Sequence, residues 1–175
     1  MAESFRAVRP AADEFAEFYK GYIQRVPDGD IVDTLRRQVD ETVAFLREIP
    51  ESKGDYRYGP DKWTIRQVIG HLSDTERVFS YRALRFSRGD TTPVPGFDEN
   101  LYVDNAPSAS CSLAGLIDEF EQVRRAALYL FGNLTEESIG RRGKANGVEV
   151  SVRALAFIAA GHETHHVQIL KERYL

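Results

Sequence analysis

SVRALAFIAAGHETHHVQILKERYL, from Ser151 to Leu175, carries the sequence's densest chemistry. It reads as one helix, with Ser151 as its N-cap. The small apolar run AFIAAG suits a helix face packed against a partner. His162, His165 and His166 follow within five residues, in a chain with only four histidines.

Working outward, the same helical spacing recurs three times. Asp30 to Arg47, DIVDTLRRQVDETVAFLR, sets Ile31, Leu35, Val39, Val43 and Leu46 on one stripe, with Asp30 as N-cap. A shorter helix is expected before it, around Asp13 to Arg25, ended by Pro27 and Gly29. ESKGDYRYGPDK, residues 51–62, is a loop by its Gly, Pro and Asp content. Thr64 to Gly89 forms the second long helix. Thr64 and Gln67 make a capping-box pattern, the stripe runs Ile65, Val68, Leu72, Val78/Phe79 and Leu84, and Gly89 stops it. DTTPVPGFDENLYVDNAPSAS, residues 90–110, is a long ordered loop of the kind that tends to carry function. The third long helix, SLAGLIDEFEQVRRAALYLFGNL, lines up Leu116, Phe120, Val123, Ala127 and Leu130. TEESIGRRGKANGVEV, residues 135–150, reads as a polar link. Four long helices and almost no strand signal indicate an all-α four-helix bundle, with a short N-terminal helix and a long loop between helices two and three.

Bulk properties agree. At 175 residues and 42% apolar content, one domain spanning 1–175 is expected. Aromatics at 11% exceed what a disordered chain carries. Net charge is −4 with no basic block, which argues against nucleic acid. A single cysteine, Cys111, excludes an intrachain disulfide and a Cys-rich zinc site. No secretory or membrane-spanning apolar run is seen, so a cytoplasmic protein without a membrane partner is expected.

His162 and His166, four apart, share one helix face with Cβ atoms roughly 6 Å apart. The remaining histidine, His71, lies on the second long helix, and a bundle can bring it against the last one. Three imidazoles would then converge with a coordination position open, an arrangement that suits catalytic zinc or nickel. HETHH also matches H-E-x-x-H, with Glu163 as a metalloprotease base. That reading is disfavoured, because such enzymes need a third ligand, commonly downstream, and Glu172 is the only carboxylate side chain after His166.

These residues carry a family resemblance. KWT-x6-H in the second long helix, combined with GHETHH near the end, resembles the DinB-like (DinB/YfiT-like) superfamily of metal-binding four-helix bundles. The likeness runs from RPAADEFAEFYKGYIQRVPDGDI through TPVPGFDENLYV to RRGKANGVEVSVRALAFIAAGHETHHVQILKERYL. It implies that His71, His162 and His166 bind the metal. His165 lies about 60° of helical rotation from His162 but about 100° from His166; it is read as supporting a ligand or packing on a neighbouring helix, with a direct ligand role as the alternative. Asp74 has two readings, orienting an imidazole or pairing with Arg77 on the helix surface.

The resemblance implies a divalent ion, zinc or nickel, and a small-molecule substrate. Family members include thiol transferases using low-molecular-weight thiols such as bacillithiol or mycothiol, a similar mycothiol-dependent maleylpyruvate isomerase, and proteins described as metal-dependent hydrolases. A homodimer is expected on the same ground. A non-catalytic metal- or ligand-binding bundle of a stress response, and a dimerisation module with structural histidines, are the alternatives. Trp63 is read as a core anchor, and Tyr19 and Tyr22 as packing residues. Asn146 and its glycines are read as a turn, with Lys144 and Asn146 as candidates for a pocket mouth. Cys111, offered as a nucleophile, has no activating residue beside it in the sequence and is read as structural or incidental, and Glu76 and Glu163 can as easily be solvated helix charges.

Overall fold

The computed structural model describes residues 4–175. After single 3-10 turns at Ala12–Glu14 and Glu17–Tyr19, the helices are α1 (Lys20–Ile23), α2 (Ile31–Arg47), α3 (Ile65–Ser87), α4 (Glu99–Asn105), α5 (Leu113–Gly132) and α6 (Glu136–Gly140). Strands β1 (Arg142–Ala145) and β2 (Val148–Ser151) precede α7 (Val152–Ile169), whose end widens into a π turn at Leu170–Tyr174. The long helices α2, α3, α5 and α7 form the four-helix bundle. Close packing joins α2 to α5, α5 to α3, α3 to α7 and α7 to α2, so α2 and α3 lie across a diagonal although they are consecutive long helices in the chain.

Each long helix starts on a side-chain cap. Asp30 accepts from the amides of Val32 and Asp33 at 2.8 and 3.4 Å. Thr64 and Gln67 close their box reciprocally, at 2.8 and 3.2 Å. Ser112 and Ser151 accept from Gly115 and Ala154 at 3.1 and 2.9 Å. Each cap satisfies an amide that the helix cannot, which stabilises by about 1 kcal/mol.

Three segments differ from the sequence expectation. The helix expected over residues 13–25 shrinks to α1 and two short turns. Gly21 sits in its middle and no side chain caps its start, so nothing offsets the cost of nucleation. The loop at residues 90–110 contains α4, started by Asp98 accepting from Asn100 and Leu101 at 2.9 and 3.0 Å, and a 3-10 turn at Pro107–Ser110. The supposed polar link contains α6 and a hairpin. Asn146 and Gly147, at φ 51° and 79°, form its two-residue turn, and Ala145 pairs with Val148. Asn-Gly is the pair that such a turn demands, so the hairpin signal was present within a mostly polar stretch. The hairpin also holds the preceding loop: Val94 donates to the Lys144 carbonyl at 2.8 Å, and Asn146 donates to Val94 at 3.0 Å.

Two apolar clusters fill the bundle. One centres on Leu35, Phe86, Phe131 and Phe157; the other centres on Val39, Leu46, Ile69 and Phe120. Between them lies a charged layer. Arg124 Nη2 of α5 reaches Glu76 Oε2 of α3 at 3.0 Å and Glu163 Oε2 of α7 at 2.8 Å. All three residues are buried, which corrects the solvated reading of both glutamates. The stripes shift accordingly. On α5 Leu116, Phe120 and Ala127 of the expected stripe are buried, Arg124 and Phe131 join them, and Val123 and Leu130 are only partly covered; on α3 Leu84 is exposed, and Ala83 and Phe86 take the inner face. A stripe chosen by apolarity alone skips a buried arginine.

Candidate metal centre

His71 on α3 faces His162 and His166 on α7. One ring nitrogen from each lies within 4.8 Å of the other two, and the Nε2 atoms of His71 and His162 are 3.0 Å apart. Ring centroids are separated by 4.5 to 4.9 Å. His71 and His162 are buried and His166 is partly exposed. The Thr75 hydroxyl lies one turn from His71, 3.4 Å from its Nδ1.

Burial holds these imidazoles neutral. Desolvation lowers the His71 pKa to about 4. Desolvation, with His71 and His165 adding, lowers that of His166 to about 3. His162 is pushed well below its ordinary value, again mainly by burial. Neutral imidazole is the form that donates a lone pair to a metal. Three converging neutral nitrogens, with no carboxylate in the cluster, fit a divalent ion of intermediate softness.

The site opens into a cavity of about 410 Å³. Tyr19, Tyr22, Trp63 and Phe79 supply much of its wall. The Trp63 ring centroid is 4.7 Å from that of His71 and 6.3 Å from that of His166. Trp63, expected to be a core anchor, is partly buried against the second apolar cluster and also walls the site. The tyrosines expected merely to pack do the same, and Tyr22 stands edge-on to His162 at 5.6 Å. Asn146 fills both of its expected roles, at the hairpin turn and on the cavity edge, while Lys144 is exposed and away from the lining.

The other candidates lie elsewhere. His165 is outside the cluster, edge-on to Tyr22 at 5.4 Å. Asp74 pairs with Arg77 at 3.5 Å on the helix surface, and no imidazole is among its partners. Glu163 turns away from the three rings toward Arg124, so the H-E-x-x-H base is not in place. Glu172 is exposed and accepts from Gln168 at 2.7 Å. Cys111 is partly buried, with its thiol 3.5 Å from the Pro107 carbonyl and outside the cavity lining. Sequence reading missed Thr75 and Arg82, which line the cavity. His71, Thr75, Phe79 and Arg82 step by four, four and three along α3, a spacing that marks a single face.

No helix among the described residues is long and apolar enough to cross a membrane. The solved structure of YfiT from Bacillus subtilis, described as a probable metal-dependent hydrolase with an unusual four-helix bundle topology, matches with a TM-score of 0.70. The match covers 94% of this chain and 90% of that one at 17% identity, a likeness of fold alone. "Putative metal-dependent hydrolase OB0413" of Oceanobacillus iheyensis is 30% identical over 143 residues, 80% of this chain and 79% of that protein. The sequence model of the DinB superfamily matches residues 34–170, across the bundle and all three converging histidines, and the chain belongs to that superfamily.

Proposed function

We propose that this chain is a metal-dependent enzyme in which His71, His162 and His166 hold a divalent ion, zinc or nickel, at the floor of the cavity. The observation that carries the reading is the convergence of three desolvated ring nitrogens within 4.8 Å. A divalent ion held there supplies a Lewis acid that lowers the pKa of a bound water or thiol. The chain's own residues position and exclude. The Thr75 hydroxyl steadies the His71 ring. Trp63, Phe79 and Tyr22 keep bulk water from the imidazoles, as their ring contacts indicate.

Between hydrolysis and thiol transfer, the lining favours the thiol. Hydrolysis is helped by a general base beside the attacking water. Glu163 faces Arg124, and Glu99, the carboxylate of the lining, is exposed. A low-molecular-weight thiol, being far more acidic than water, needs no such base. The test has two stages. Protein purified without a histidine tag should contain about one divalent ion per chain by mass spectrometry. The loaded protein should then consume a thiol with an electrophilic co-substrate faster than it cleaves esters or amides. Absence of any bound divalent ion at neutral pH would end the metal reading; ester or amide cleavage outrunning thiol consumption would return the choice to a hydrolase.

A further inference from the structure

Three arginines are buried in the bundle: Arg66, Arg82 and Arg124. Two have carboxylate partners. Arg66 pairs with Glu51 and Asp55, and Arg124 with Glu76 and Glu163. Arg82 is 3% exposed, yet among the described residues no carboxylate lies within 4.0 Å of it. Its Nη2 donates to the Pro95 carbonyl at 3.1 Å. Its Nε–H has no partner. The Phe97 ring, 5.9 Å away, offers only a weak cation–π contact. Leaving a guanidinium buried without an anion is costly, and one carbonyl does not offset that cost.

Arg82 also lines the histidine cavity. It stands three turns beyond His71 on the same face of α3, about 16 Å along the helix axis. At its end of the cavity are Gly96, Phe97 and Asn146, held by the hairpin that grips Val94. A Cβ on Gly96 would fall 2.4 Å from the Asn146 amide oxygen, so the loop is fitted closely against the turn. Aromatic walls run between the two ends. The geometry therefore has three parts: a three-imidazole centre, an aromatic passage and an unneutralised cation.

We propose that Arg82 is a substrate-binding residue: it takes an anionic group, a carboxylate or phosphate, of a substrate whose apolar body lies along the aromatic wall and whose reacting end lies at the three histidines. The inference deepens the enzyme reading and rests on this cavity being its substrate site. A guanidinium grips a two-oxygen anion through paired N–H donors, which a lysine ammonium cannot do. Glu99 shares the lining but is exposed, beyond 4.0 Å from Arg82, and so marks the rim.

Trp63, the chain's single tryptophan, is a built-in reporter on the same wall. Phenylpropionate, phenylethyl phosphate and uncharged phenylpropionamide are titrated into the full chain at neutral pH, metal-free and zinc-loaded, following Trp63 fluorescence. At least one anion should bind the metal-free protein about tenfold or more tightly than the amide, the scale of one charge-assisted hydrogen bond. The better anion identifies the class. Arg82→Met should bring both anions to the amide's level, with folding checked by circular dichroism. If Arg82→Met does not fold, Arg82→Lys serves, and should lose most of the discrimination. Equal binding of amide and anions, no binding of any probe at millimolar concentration, or discrimination that survives substitution of Arg82 would overturn the proposal. Discrimination found only in zinc-loaded protein and unaffected by Arg82→Met would send the anion to the ion, sinking this inference while the metal reading stands. Discrimination in metal-free protein that binds no zinc would leave Arg82 in its role and remove the metal reading.

Discussion

Glu163 follows His162 in sequence but turns its carboxylate onto Arg124, Oε2 to Nη2 at 2.8 Å. One helical step thus separates two chemistries. His162 faces the cavity, and its neighbour faces the bundle's centre. Arg124 reaches from α5 to the diagonally placed α7 and also holds Glu76 of α3, tying three helices at one level. Burial pushes both carboxyl pKa values up, and Arg124 opposes that rise.

Arg124→Met should therefore be severely destabilising. Among the described residues it removes the only cation paired with the two buried acids. Breaking a buried pair by deleting one partner costs about 3–5 kcal/mol. Adding Glu76→Gln and Glu163→Gln to Arg124→Met should restore part of that loss, because the stranded charges go with the arginine. Urea denaturation of the single and triple variants checks both statements. A single variant as stable as the parent would mean that the triad contributes nothing net.

The metal assignment makes a ranking. His71→Ala, His162→Ala and His166→Ala should each weaken zinc binding on the order of a hundredfold or more. His165→Ala should cost tenfold or less, below the roughly 10–100-fold of an outer-shell partner, because His165 lies outside the cluster. On that assignment His71 should matter as much as either α7 histidine, because of the three candidate ligands it alone stands on another helix. Circular dichroism should show all four variants folded, since the apolar clusters are untouched. Competition titration with a chromophoric chelator measures the order, and a site emptied by His165→Ala but not by His162→Ala would reverse the assignment.

The long helices and the His162/His166 pair were legible because both depend on local spacing, whereas His71, 91 residues from His162, joined them through the family resemblance. Caps at Asp30, Thr64 and Ser151 and the His162/His166 interval are short-range facts. What escaped was set by partners distant in sequence. Glu76 and Glu163 read as surface charges until Arg124 is known to sit between them. Arg82 reads as one more helical arginine until α3 is rotated so that His71 faces α7. Trp63 reads as core because nothing local shows that its ring lines a cavity. The hairpin is the exception: its Asn146–Gly147 turn is a local signal, outweighed in the reading by the polar residues around it.

Gly161 sits inside α7, where alanine is favoured by roughly 1 kcal/mol on helix propensity. Gly161→Ala should nevertheless destabilise. A Cβ there would fall 2.0 Å from the backbone oxygen of Tyr22, on α1. That contact cannot relax by side-chain rotation, so α1 must move, at the 1–3 kcal/mol typical of overpacking. Because Tyr22 lines the cavity, the shift should also alter probe binding at Trp63. A thermal melt higher than the parent's would show that α1 yields freely.

Acid should destabilise the metal-free protein through the same imidazoles. In the unfolded chain a histidine titrates near its ordinary pKa of about 6.5. In the folded chain His71 titrates at about 4 and His166 at about 3. Between these limits the unfolded state holds more protons, so the free energy of unfolding rises with pH. Stability is complete above about pH 6.5 and is lost as the pH falls toward the folded values, by about 3 kcal/mol for His71 alone. Glu76 and Glu163 act in the opposite sense, since their raised pKa values let the folded state take up protons first as acid is added. His71→Asn should consequently flatten the acid slope without lowering stability at neutral pH by the same amount. Zinc at saturating concentration should raise the melting temperature at neutral pH. That gain should vanish on acidification, because protons compete for the same lone pairs. Melting temperatures of both proteins across about pH 4.5 to 7.5, with and without zinc, measure each effect. A parent slope no steeper than that of His71→Asn would remove the buried neutral imidazole as the cause.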